Sequence, residues 1–161
     1  MSTEVAHIAF DPAAFRWAGV VEQGYKVAPG QEPADGARGM GWKGVTRHVL
    51  AGTPILQAAF EARFFEVAPG GYSRLEKHRH VHFVIGMRGC GRALIGDRMH
   101  GIPPFDALHV PPLAPHRWLN EGEEPFGFLC IVDAERDRPQ PLDDAEWELL
   151  RADPLTAPYV F

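Results

Sequence analysis

At 161 residues the chain has room for one hydrophobic core, because two would each be undersized. Its 45% hydrophobic and 23% charged residues match an ordinary globular protein and exclude a disordered chain or a membrane-spanning one. A net charge of −5, with no dense Lys/Arg cluster, gives no attraction for phosphate backbones or anionic lipid, so neither nucleic acid nor membrane is an expected partner.

In chain order, residues 1–43 read as an N-terminal arm. A short apolar stretch from Phe15 to Val21 is followed by Pro29, Gly30, Pro33, Gly36, Gly39 and Gly41. Strand-like segments then recur at 45–50, 55–67, 82–88, 92–95, 107–110 and 126–132. Turn chemistry separates them, as in Gly52-Thr53-Pro54, Pro69-Gly70-Gly71, Gly89-Cys90-Gly91 and Pro111-Pro112. This rhythm predicts an all-β barrel or sandwich over 44–135. Residues 136–161 predict a helix and tail packed outside it: Asp143 is a natural N-cap, Glu146 completes a capping box, Trp147 and Leu150 share a face, and Pro154 ends the run.

The start of the sequence lacks a basic region followed by an apolar stretch, and two cysteines are too few for a disulfide framework. Cys90 and Cys130 are therefore expected to be reduced and buried, in a cytoplasmic protein.

Four of the eight histidines interrupt the strand pattern at two places. Alternation along an extended segment would send Glu76, His78, His80 and His82 to one face and Lys77, Arg79 and Val81 to the other. Imidazole and carboxylate together suit a divalent transition metal (Fe, Mn, Zn, Ni or Cu), provided a distant strand closes the geometry. His116, just beyond the Pro111-Pro112 turn, is the candidate for that. The same alternation also describes a charged edge strand that blocks aggregation. His7, His48 and His100 read as surface or core histidines, and His109 as a packing residue near the pocket.

These stretches resemble the two motifs of the cupin superfamily, Gly-x5-His-x-His-x3–4-Glu-x6-Gly and Gly-x5-Pro-x-Gly-x2-His-x3-Asn, between about Glu61 and Val132. Counting back from Gly89 puts His82 at the motif's Glu, His78 at its second His and Glu76 at its first. The second motif matches through Pro111, His116 and Asn120, but Phe105 and Leu113 stand where glycines belong. The resemblance implies a single jelly-roll barrel that holds one divalent metal through Glu76, His78, His82 and His116. His80 lies in the connection, as a fifth ligand, a hydrogen-bonding neighbour of the ligands or a replacement for Glu76.

Asn120, Glu66 or backbone carbonyls are candidates to hold the ligands' other ring nitrogens. Phe64, Phe83, Trp118, Phe126 and Phe128 are candidates for cavity wall or core, and Arg63, Arg92 and Arg117 for a substrate carboxylate clamp, Arg117 foremost because it follows His116. Pairing of the 45–50 strand with a second copy implies a homodimer. The function expected from the resemblance is a metal-dependent enzyme on a small organic molecule, foremost an Fe(II) or Mn(II) dioxygenase, with His80 and Glu76 moving protons. A metal-dependent lyase or isomerase, or a non-enzymatic sensor or storage cupin, are the alternatives.

Overall fold

The computed structural model describes residues 7–24, 39, 41–52 and 58–161. Eleven strands are defined in these residues: β1 Phe10–Asp11, β2 Arg16–Trp17, β3 Glu22–Gly24, β4 Lys43–Ala51, β5 Phe60–Tyr72, β6 His82–Arg88, β7 Gly91–Ile95, β8 Arg98–Ile102, β9 Ala107–Val110, β10 His116–Leu119 and β11 Phe126–Asp133. One helix, α1, spans Asp144–Ala152. The main sheet runs β8-β7-β10-β5-β11-β6-β9, entirely antiparallel, with β4 on the other edge of β5, and it curls into a nearly closed barrel.

Alternation decides what the barrel encloses. On β5, Arg63, Phe65 and Val67 point inward, while Phe64 points outward and meets Phe15 and Trp17. On β11, Phe126, Phe128, Cys130 and Val132 are buried with Val45, Val84, Val110 and Trp118 in one cluster. Each large apolar side chain buried there contributes about 1.5–3 kcal/mol. Gly91 is required by close approach, since a Cβ there would sit 2.1 Å from the Phe126 ring.

The helix forms where expected. The Asp143 side chain accepts from the Glu146 N–H, and the Glu146 carboxylate accepts from the Asp143 N–H. Its Trp147 and Leu150 pack with Leu75, Leu94 and Val160 in a second cluster.

Several expectations are corrected. The Pro69-Gly70-Gly71 stretch does not end a strand: β5 continues to Tyr72 with Gly70 at φ +69°, and the facing β4 shifts register between Lys43 and Val45. Strands β8 and β10 were not foreseen. The arm also contributes structure: β1 and β2 pair, and β3 pairs with Thr46, Arg47 and His48 of β4, the segment expected to join a second copy. Residues 25–38, 40 and 53–57, including the start of the expected 55–67 strand, lie outside the described residues.

Phe105 and Leu113, at the glycine positions of the second motif, have φ of +73° and +61°. The backbone thus keeps a glycine-type turn under side chains that disfavour it.

Candidate metal centre

Two backbone contacts join the histidine-bearing stretches. Glu76 and His116 form an isolated antiparallel bridge, and the Leu113 N–H donates to the His78 carbonyl at 2.7 Å. His116 opens β10 and His82 opens β6. Between Lys77 and His82 the chain bends at Arg79 and His80, so the alternation foreseen from Glu76 to His82 is broken by a bend.

The bend sorts the candidates. His78, His82 and His116 are buried and each offers a ring nitrogen, all within 4.8 Å of one another. His78 Nδ1–H donates to the His80 carbonyl at 2.9 Å and His116 Nδ1–H to the Ala114 carbonyl at 2.9 Å. His82 Nδ1 lies 3.6 Å from Cys130 Sγ, and its Nε2 is buried with no hydrogen-bond partner. In His78 and His116 the Nδ1–H goes to a carbonyl and Nε2 keeps the lone pair, while in His82 Nδ1 faces the sulfur and Nε2 is the buried orphan.

Burial is the main cause that lowers the affinity of all three rings for protons, to a pKa of about 4 for His78 and His116 and further for His82. Neutral imidazoles with converging lone pairs, one of them a buried orphan, fit a divalent transition ion.

Glu76 and His80 line the same cavity but stand outside this group. Burial raises the Glu76 carboxyl to a pKa of about 7, and its Oε2 is buried without a partner. His80 stacks on His78 with ring centroids 3.6 Å apart and puts Nδ1 2.8 Å from Asp137 Oδ1. Asp137 also accepts from the N–H groups of Arg79 and His80, which hold its carboxyl well below the usual range.

The cavity is about 490 Å³. Trp118 and Phe128 line it and Phe126 fills the core, as expected, whereas Phe64 is buried on the outer face of β5 and Phe83 is exposed. Arg63, one of the arginines named as a clamp, and Cys130, expected to be buried, line it too, and Phe65, Arg74, Arg136 and Asp137 do so without having been singled out. Arg63, Phe65 and Cys130 could have been placed inside by carrying the two-residue period along β5 and β11.

Arg117 is no substrate clamp. It is fully buried and donates to the backbone carbonyls of Ser73, Gly39, Tyr159 and Phe161. Asn120 and Glu66 do not support the histidines either. Asn120 donates to the Val67 and Glu124 carbonyls, and Glu66 pairs with Arg16 and Arg88. Of the expected partners the backbone carbonyls take that role for His78 and His116, and Cys130 stands at His82. His109 is exposed on β9, and Cys90 is exposed rather than buried.

A curled antiparallel barrel with an inward histidine triad is the architecture of a cupin, and the chain belongs to that family: the model of the cupin domain matches residues 63–132. Over 91% of its length it is 38% identical to 86% of the 1-methylthio-D-xylulose 5-phosphate methylsulfurylase of Rhodospirillum rubrum. Two solved structures are similar throughout. A cupin-2 domain protein of Rhodospirillum rubrum has 35% identity and a TM-score of 0.76, covering 96% of this chain and 95% of that one. A cupin 2 conserved barrel protein of Rhodopseudomonas palustris has 35% identity and a TM-score of 0.80, covering 96% and 99%. Among the described residues no helix is long and apolar enough to cross a membrane.

Proposed function

We propose that this protein is a metal-dependent enzyme acting on a small phosphorylated keto sugar, with the type of activity its Rhodospirillum rubrum relative is named for. The observation that carries the reading is the convergence of His78, His82 and His116 in a cavity wide enough for such a molecule. A divalent ion bound there would supply Lewis acidity to a ketone oxygen and so acidify the hydrogen on the neighbouring carbon.

The chain's own residues do the rest. His78, His82 and His116 would hold the ion, and Glu76, which pairs with His116 across the backbone bridge and lines the same cavity, is the carboxylate beside them. With Nδ1–H given to Asp137, His80 keeps Nε2 as the free nitrogen of a cavity-lining ring, placed to take a proton from the substrate. Asp137 fixes that tautomer and the orientation of the ring. Trp118, Phe65 and Phe128 keep one wall apolar and exclude water.

The dioxygenase expected from the sequence shares this metal frame. The relative's substrate is what moves the preference to a sugar phosphate. The test is turnover of 1-methylthio-D-xylulose 5-phosphate by metal-loaded protein, followed by product analysis and oxygen uptake. Conversion without oxygen uptake, slowed on the order of a hundredfold or more in Asp137→Asn, is expected. No conversion by protein with full metal content would overturn the reading, and uptake matched to turnover would return it to the dioxygenase.

A further inference from the structure

Strand β5 carries a charge into the barrel. Arg63 is 93% buried, and a guanidinium there costs several kcal/mol unless it is paired. Its pairing is incomplete. Its Nη2 donates to Cys130 Sγ at 3.5 Å, and its plane lies over Phe65. Its Nε has no hydrogen-bond partner, since the nearest carboxylate oxygen, Glu61 Oε1, stands 3.7 Å away.

That carboxylate is also shared. Glu61 Oε2 accepts from Arg136 at 2.8 Å, so one anion lies between two cations, and both guanidiniums line the cavity. Of the other acidic groups that line the cavity, Asp137 is engaged by Arg79 and His80, and Glu76 makes no hydrogen bond through its buried Oε2 and feels the charge of Arg63 without pairing with it. A single sulfur, Cys130 Sγ, separates Arg63 from His82, so one small molecule can meet the guanidiniums and the histidine centre together.

We propose that Arg63 and Arg136, bridged by Glu61, form the subsite that takes the phosphate of the substrate. The inference rests on the sugar-phosphate reading for its substrate class. Guanidinium donors in a fixed planar fork suit a phosphate, and an incoming anion supplies the partner that the Arg63 Nε lacks.

The experiment uses the full chain without metal and inorganic phosphate as probe, measured by calorimetric titration, so that it does not depend on the ion. D-xylulose 5-phosphate and D-xylulose are compared in the same way. Phosphate binding weakened at least tenfold in Arg63→Met and Arg136→Met, but unchanged in Arg151→Met on α1, is expected. So is a preference for the phosphorylated sugar that both cavity variants lose. The partly exposed Arg136 gives a readout even if Arg63→Met fails to fold.

Equal binding in wild type and Arg136→Met, or none in wild type, would overturn the subsite. Acetate competing on equal terms with phosphate would overturn the phosphate assignment. Metal uptake by a separately reconstituted sample separates the two claims: full uptake without phosphate binding sinks this inference alone, whereas phosphate binding by a chain that takes up no metal sinks the metal reading alone.

Discussion

Glu76 and His116 face each other across an isolated antiparallel bridge: the Glu76 N–H donates to the His116 carbonyl at 3.2 Å and the His116 N–H to the Glu76 carbonyl at 2.9 Å. Paired backbones place the two side chains side by side. A carboxyl group that burial holds near a pKa of 7 thereby stands next to one of three buried neutral imidazoles.

The carboxyl and the imidazoles give opposite pH slopes in metal-free protein. The folded-state pKa of Glu76 is raised from 4.5 to about 7, so its proton favours the folded state; that contribution is full below 4.5 and is lost as pH rises to about 7. Glu76→Gln removes this dependence. Urea titrations of chelated protein should show the variant gaining about 3 kcal/mol over wild type between pH 4.5 and 7, and a constant difference would refute the cause. His78 and His116 are lowered from 6.5 to about 4, so their contribution is present above 6.5 and lost as pH falls toward 4, in both proteins alike.

Cys130 is the partner of His82 Nδ1, where the other two rings use carbonyl oxygens. Removing such a partner typically weakens metal binding by about 10- to 100-fold. Cys130→Ala should show that loss in competition with a fluorescent chelator. Cys130→Ser, which keeps a hydrogen-bonding atom, should recover part of it.

Arg117 holds four backbone carbonyls together beneath the rings of Tyr72 and Phe161. Arg117→Met leaves those acceptors without their charged donor and should cost about 3–5 kcal/mol by urea denaturation. Lysine cannot reproduce the fork and should rescue little. Metal content of the folded fraction should not change, because Arg117 does not line the cavity.

Phe105 and Leu113 hold left-handed backbone on exposed side chains. Glycine removes the strain of about 1–2 kcal/mol, against an unfolded-state entropy cost of about 0.5–1 kcal/mol. Phe105→Gly and Leu113→Gly should therefore each leave the melting temperature unchanged or raise it, where glycine in a loop of ordinary φ lowers it.

The barrel was legible because its strands are short, alternating and bounded by turn residues, and α1 because Asp143 and Glu146 make a complete capping box. The two histidine stretches were legible from motif spacing. What escaped was set by contacts distant in sequence. Nothing local says that the chain bends at Arg79 and His80 and hands His80 to Asp137, a residue 57 positions on.

Arg117 was misread because it follows His116, yet neighbours on a strand point to opposite faces. His116 and Trp118 look into the cavity and Arg117 looks out, under the C-terminal segment. By the same rule Arg63, two residues from Phe65, belongs inside with it, and the alternation favours it over Arg117 among the arginines named. The Pro69-Gly70-Gly71 stretch mimicked a turn because a bulged strand and a turn draw on the same residues.

The central claim is that His78, His82 and His116 jointly hold one divalent ion, and elemental analysis tests it most directly. Wild type purified without added metal should carry close to one transition ion per chain, and His78→Ala and His116→Ala, shown to be folded by circular dichroism, should carry almost none. Wild type devoid of metal even after reconstitution, or folded variants with undiminished metal, would contradict the account.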